Sequence, residues 1–332
     1  MRVLIRELRS DERGVASTVG TIMALLVFLT FLSLIVNQYV PVWMKDSEAA
    51  HMNTALGNFG SLKGSIDLQV LAAQAARNAG VFYIPSTASS AIGLGVDGVP
   101  IFAAPTIGTL RSSPDSGPFT VRFNYLIKGV STPVREQSNG TIDLEVGNRY
   151  YVPQRIAYEN GAVIRYQGDG QVIRAQPTFA VIKTNNSLDI SFGLVSLYGT
   201  GTIAGTSTEI VNTQVFAFDR QDYSGFAANA DIWINHTSRY GQAWYAFLNQ
   251  TLADALKLGG TYSSSPLGMT FTATTAGLLV YQISSLYNQN TGIYIMTLKI
   301  HNNALVLPLS VFRLQHAQVQ VGIGENTQNV QF

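Results

Sequence analysis

The chain has 332 residues, 46% of them hydrophobic and only 12% charged, with a formal net charge of +1 and no cysteine. That length and apolar content suffice for a sizeable core, while the missing cysteines exclude a disulfide framework and a thiolate metal site. The first 14 residues hold Arg2, Arg6, Arg9 and Arg13 against Glu7, Asp11 and Glu12; removing them leaves 17 charges of each sign, and a neutral body has no electrostatic footprint for nucleic acid.

Residues 1–14 read as a basic leader. From Val15 to Met44 there is no charged side chain, and the centre, Val19 to Val36, is apolar enough to span a bilayer, which takes roughly 20 helical residues. A removable secretory signal has an apolar region of about 7–15 residues followed by a small-residue cleavage site. Here the run is longer, and Asn37-Gln38-Tyr39-Val40-Pro41-Val42-Trp43 offers no such site. A transmembrane helix is therefore predicted over 15–44, in contact with membrane lipid. Lys45-Asp46-Ser47-Glu48 shows no basic excess, so the positive-inside rule leaves the leader in the cytoplasm and sends roughly 290 residues outside. Tyr39 and Trp43 fall where an interfacial aromatic belt would lie, and Pro41 is placed to kink or end the helix.

Over 45–80 the pattern turns amphipathic. Met52, Leu56, Phe59, Ile66 and Val70 recur at helical spacing, with Lys63 filling one position of the stripe. Gly57, Gly60 and Gly64 argue against it, at about 1 kcal/mol each in a helix interior. The Ala-rich run Leu71–Ala76 favours it, and Asn78-Ala79-Gly80 makes a stop. The expectation is a stalk helix continuing the membrane helix outward.

Beyond Gly80 the chain is strand-like. Phe119, Val121, Phe123, Tyr125 and Ile127 alternate with polar residues, as do Ile142, Leu144 and Val146. Arg155–Tyr158 and Ala162–Tyr166 flank Asn160-Gly161, a dipeptide suited to a type I′ hairpin turn, and Gly168-Asp169-Gly170 separates the next run, Gln171–Arg174. Further candidates are Phe179–Lys183, Ile190–Leu197, Ile210–Phe218, Met269–Thr274, Ile293–Ile300 and Ser310–Gln320. One helix is expected after a Ser238 cap, with Trp244, Phe247, Leu248, Leu252 and Leu256 on one side and Gly259-Gly260 ending it. About ten short strands predict a mainly β, β-sandwich-like head over 81–332 with one amphipathic helix, behind the long N-terminal transmembrane and stalk helix.

Motifs that carry chemistry are scarce. Gly93-Leu94-Gly95-Val96-Asp97-Gly98 matches a dinucleotide fingerprint by letter, but Val99-Pro100 follows where a helix N-terminus should open, so a loop is expected. His51, His236, His301 and His316 form no metal-binding pair on a helix face, and His51 is expected to be solvated or interfacial. Asp219-Arg220-Gln221-Asp222 lacks the pattern of a calcium loop and reads as a turn with a surface ion pair. No catalytic, cofactor-binding or metal-ligating residue is singled out, no cofactor is expected, and the chain reads as a non-enzyme. Four N-x-[ST] sequons occur, at Asn139, Asn185, Asn235 and Asn249, about the number expected by chance. Asn139 and Asn185, in expected loops, are the first candidates for glycosylation. The tyrosines Tyr125, Tyr158, Tyr166 and Tyr294 are expected mainly as core residues rather than as an adhesive surface.

The order ERGVASTVGTIMALL, Glu12 to Leu26, resembles the N-terminus of archaeal type IV pilins and pilin-like exported proteins, in which a leader precedes an uncut apolar helix. A second stretch, Gln154 to Pro177, also resembles a segment of archaeal pilin-like proteins. The first resemblance implies a class III signal peptide processed at Arg13, Gly14 and Val15. Prepilin peptidase and other pilin subunits are then the implied partners, and the cell surface or a surface filament the implied location. Bacterial pilins carry Glu at the fifth position of the processed helix; here Val19 stands there. The implied function is a structural or adhesive surface protein. The alternative is a single-pass envelope protein that keeps its leader and whose β-head binds a ligand, glycan or protein without polymerising.

Overall fold

A computed structural model describes the backbone of residues 2–99, 101–184, 187–304 and 306–324, and side chains from Ala16 onward. Helix α1 (Arg2–Leu34), a π-helical turn (Ile35–Tyr39) and helix α2 (Val40–Ala79) run on without a break. The apolar helix Ala16–Ala79 is 64 residues long, or about 96 Å at 1.5 Å per residue. It is long and apolar enough to cross a membrane, and no residue from Ala16 to Tyr39 is buried against the rest of the chain. The helix does not end at Pro41. Proline lacks an N–H and clashes with the carbonyl four residues back; the π-turn just ahead of it, where the Val40 N–H bonds Ile35 O, supplies the extra residue that absorbs the misfit.

The buried face of α2 follows a strict repeat. Glu48, Met52, Ala55, Phe59, Leu62, Ile66, Gln69 and Ala73 are spaced alternately by four and three residues. This seam is rotated from the stripe read in the sequence: Leu56 and Val70 are half-buried flanks, and Lys63 lies beside the seam, paired with Asp67. Gly80 closes the helix in the left-handed region at φ 69°, its N–H bonded to Arg77 O.

The head is built from three sheets. The first contains, in spatial order, β1 (Ala88–Gly93), β12 (Thr208–Tyr223), β18 (Leu309–Ile323), β10 (Ser187–Tyr198) and β9 (Phe179–Thr184), with β10 and β18 parallel. The second contains β11 (Gly201–Gly205), β2 (Gly108–Ser113), β5 (Thr141–Val146), β6 (Gln154–Glu159), β7 (Ala162–Gln167) and β8 (Gly170–Ala175). The third contains β14 (Gly260–Ser265), β15 (Gly268–Thr275), β16 (Leu278–Asn288), β17 (Ile293–His301), β13 (Asp231–Ser238), β3 (Phe119–Ile127) and β4 (Val130–Ser138). Every strand candidate named from the sequence lies on an observed strand. β1, β2, β4, β11, β13, β14 and β16 are additional, and β12 at 16 residues and β18 at 15 are not short.

Two apolar clusters hold these layers. One joins the α2 seam to the first two sheets through Phe59, Leu62, Ile66, Ile92, Leu144, Tyr158 and Val319. The other joins the first and third sheets around helix α3 (Gly241–Leu256), through Phe119, Phe192, Phe312, Trp244, Leu248 and Ile283. Trp244, Leu248, Leu252 and Leu256 are buried and Phe247 is half-buried, as their spacing predicts. The ends of α3 differ from expectation. Ser238 closes β13 instead of capping the helix, and Lys257, in the left-handed region at φ 52°, ends it ahead of the glycine pair.

Candidate functional site

The processing residues Arg13, Gly14 and Val15 lie within the helical backbone of α1. Past them the helix is bare until Val40 and Met44 meet the head. The first polar contact of the stalk with the head is Glu48, which has no exposed surface. Its Oε1 accepts from Thr106 Oγ1 (2.5 Å) and Arg149 N–H (3.0 Å), and its Oε2 from Tyr150 N–H (2.8 Å) and Tyr151 N–H (2.7 Å). Successive backbone N–H groups in a turn form a natural anion socket, and here the turn before β6 closes on a side chain from the stalk. Burial pushes the Glu48 carboxyl up. The bonds from Thr106, Arg149, Tyr151 and Tyr150 together outweigh it and hold the carboxyl below the usual glutamate range.

One turn further, His51 is half-buried rather than solvated, its Nε2 3.1 Å from Gly93 O at the end of β1. Burial lowers its pKa, with the Gly93 contact opposing. Higher on the seam, Gln69 bridges to β12. Its Oε1 accepts from Val215 N–H (2.7 Å) and its Nε2 donates to Thr213 O (3.2 Å), next to the bulge at Val215/Ala217. Arg77 pairs with Asp219 near the helix end.

A second polar centre lies at the far end of β6. Asn160 and Gly161 have φ of 44° and 79°, the two left-handed residues of a type I′ turn, as the sequence predicts. The turn also does what the dipeptide does not announce. Asn160 Oδ1 accepts from Val195 N–H (2.8 Å) and Ser138 Oγ (3.0 Å), and Nδ2 donates to Gly193 O (3.2 Å). One residue before it, Glu159 is fully buried and accepts from Trp244 Nε1 (2.7 Å) and Ser238 Oγ (2.8 Å). His236 Nε2 lies 2.9 Å from Glu159 Oε1, and its Nδ1 lies 3.1 Å from Pro118 O. Both ring nitrogens thus face acceptors, so a proton sits in the His236–Glu159 contact whichever partner holds it. Phe119 stacks on the imidazole with centroids 3.7 Å apart. Ser238 donates to the carboxylate and not to the imidazole, so the trio lacks the nucleophile–base bond of a hydrolytic site. Glu159 and Asn160 together tie β6, β10, β13, β4 and α3 to one another, and with them all three sheets.

The remaining sequence features fall as follows. Gly93 ends β1, and Val96 bridges Thr106, so the glycine motif is extended and packed, with no helix behind it among the described residues. Asp219 and Asp222 sit within β12, not in a turn, and Asp222 pairs with Arg313 and Arg220. Asn139 is half-buried between β4 and β5, its carbonyl accepting the Leu197 N–H, and the Thr141 of its sequon is buried. Asn185 lies outside the described residues. Tyr158 is buried, Tyr125 and Tyr294 half-buried, and Tyr166 exposed. Among the described residues no cluster of three His, Asp or Glu side chains is placed to hold a metal.

No protein-family model, no curated protein and no solved structure matches this chain.

Proposed function

We propose that this chain is a pilin-like subunit of the cell surface, structural or adhesive, anchored or assembled through its N-terminal helix with the head outside. The observation that carries the reading is the contrast along one helix. From Ala16 to Tyr39 it is apolar and buries nothing against its own chain, while from Glu48 to Ala73 one seam is stapled into the head. A helix so divided has its outer half ready for lipid or for neighbouring copies. The exposed side of α2 adds support. A Cβ placed on Gly57, Gly60 or Gly64 would meet nothing within 4 Å, so nothing in this chain requires those helix-weakening residues. Small residues let helices approach closely, which suits packing between copies.

In this reading a prepilin-type peptidase removes the leader between Gly14 and Val15. N-terminal sequencing of the native protein then starts at Val15, and the protein is recovered in sheared surface filaments. An intact Met1 in purified membranes, with nothing in the sheared fraction, overturns the filament reading in favour of a plain single-pass anchor.

A further inference from the structure

The outward face of the seven-stranded sheet carries a row of residues that breaks the usual cross-strand chemistry. In register across the strands, Arg135 of β4 stands opposite Arg122 of β3, which stands opposite Trp233 of β13. Trp233 in turn stands opposite Lys299 of β17. Like charges directly opposite one another destabilise a sheet. Neither arginine is rescued: both are exposed, and among the described residues neither forms an ion pair. The adjacent carboxylate, Glu136, points to the other side of the sheet, towards His316. The Arg122 guanidinium lies 5.4 Å from the Trp233 ring centroid and the Lys299 ammonium 5.1 Å, so the indole holds two cations in place.

Beside this row opens a cleft of about 650 Å³, lined among others by Arg122, Arg135, Trp233, Asn124 and Asn229. Its volume falls in the range of small-ligand sites. The one carboxylate in the cleft, Asp231, is already taken by Lys299 Nζ (3.0 Å) and His301 Nδ1 (2.7 Å).

We propose that this row and cleft bind an acidic glycan through its carboxylate or sulfate groups. Two exposed guanidinium forks present the bidentate geometry that carboxylates and sulfates accept. Trp233 offers apolar surface with a polar edge for a sugar ring, and the Asn124 and Asn229 amides offer both donors and acceptors to hydroxyls. A bare inorganic anion has no use for that aromatic and amide lining. A nucleic acid strand needs a basic track longer than one row. An anion seated between the arginines also removes the repulsion that the unliganded sheet carries. The site gives the adhesive reading above its ligand class and rests on that reading only for access to extracellular glycans.

The test uses the full chain in zwitterionic detergent micelles, with polygalacturonate fragments, dextran sulfate, neutral dextran and a single-stranded oligonucleotide as probes. Binding to the two acidic glycans and not to neutral dextran is expected, weakening as salt rises. Whether polygalacturonate or dextran sulfate binds more tightly identifies the anionic group. The double variant Arg122→Gln/Arg135→Gln lowers affinity by about tenfold or more. Arg135→Thr alone lowers affinity while raising the melting midpoint, a combination that a purely structural arginine does not produce. Equal affinity for neutral dextran, unchanged binding by the double variant, or equally tight binding of the oligonucleotide overturns the proposal. N-terminal sequencing of the same preparation reports separately on the filament reading, so either can fail without the other.

Discussion

Replacing Glu48 with Gln isolates the stalk socket with almost no change of shape. The amide has one acceptor oxygen where the carboxylate had two, and the socket presents three backbone N–H groups and one hydroxyl. The best orientation keeps the oxygen on Tyr150 and Tyr151 N–H and turns the NH2 towards Thr106, whose hydroxyl can accept. The Arg149 N–H is then stranded, at about 1–3 kcal/mol for a buried donor without a partner. The two surviving bonds lose charge assistance, worth about 1 kcal/mol each. The sum is about 3–5 kcal/mol, or roughly 6–20 °C in melting midpoint at about 2–4 °C per kcal/mol for a head of this size. Glu48→Ala strands all three N–H groups and costs more.

Hydrogen exchange locates the loss: the Arg149, Tyr150 and Tyr151 amides lose protection first. Acid gives an independent signature. The folded carboxyl titrates below its unfolded value of about 4.3, so its stabilisation is complete above that value and is lost as pH falls through the lowered one. His51, buried and lowered from its unfolded value of about 6.5, acts in the same direction: its contribution is complete above that value and lost as pH falls through the lowered one. Glu48→Gln therefore removes the Glu48 share of the acid loss below about pH 4.3, leaving that of Asp222, which burial pushes up but Arg313 and Arg220 also hold low, and leaves the His51 loss starting below about pH 6.5. A variant that melts within about 1 °C of the wild type and keeps the three amides protected refutes the socket argument.

Gly57, Gly60 and Gly64 changed to Ala, whose Cβ atoms meet open space, should each stabilise the monomer by up to about 1 kcal/mol in chemical denaturation. The yield of sheared filaments should fall together with that gain. Asn160→Ala loses three hydrogen bonds and puts at φ 44° a residue that tolerates the left-handed region less well than Asn, for an expected loss of about 3–5 kcal/mol in urea titration. Asn160→Gly removes the same bonds without the backbone strain and should recover about 1–2 kcal/mol of that loss. Lys128→Asn, at φ 49° in the β3–β4 hairpin, should raise stability by about 0.5–1 kcal/mol, because Asn tolerates the left-handed region better than Lys.

That last position shows why parts of the fold were hidden in the sequence. Three hairpins use the same two-residue turn: Asn160-Gly161, Lys128-Gly129 with φ of 49° and 81°, and Ala276-Gly277 with 50° and 76°. Only the first carries the residue type that marks it, so the β6–β7 hairpin was legible and β4 and β16 were not. Strands β1 (ASSAIG) and β2 (GTLRSS) are short and rich in small residues, and their burial comes from neighbours that no local window contains. The long apolar helix was plain from thirty uncharged residues, Val15 to Met44. The socket and the Glu159–Asn160 centre were missed because their chemistry lies in side chains meeting distant backbone and side chains. Glu48 and Arg149 are 101 residues apart, and Asn160 and Val195 are 35 apart. One signal was available: the four–three spacing of the α2 seam passes through Glu48 and Gln69, and a polar residue inside an apolar repeat asks for a partner.

Those two polar residues answer a problem that the seam itself creates. Apolar burial is non-directional, and a seam that repeats every seven residues would pack almost as well after sliding by one repeat. Such a slip in one direction brings Ala55 to the socket and Ala76 to the β12 bulge; in the other, Leu62 takes the place of Gln69. Either way the N–H groups of Arg149, Tyr150 and Tyr151 lose their acceptor and the Val215 N–H loses its own, at about 1–3 kcal/mol per stranded group. Glu48 and Gln69 sit three repeats apart on the seam, so any slip strands both sets of donors at once. A single polar residue in an apolar seam is the best-attested way to fix helix register. Here two of them fix how far the bare apolar segment projects from the head. From the socket, β6 leads directly to Glu159 and Asn160, whose bonds reach β4 and β13, the strands that carry Arg135 and Trp233. A tug on that outer face is thus passed to the N-terminal helix through directional bonds at both ends of one strand, where apolar contacts alone would let the layers slide.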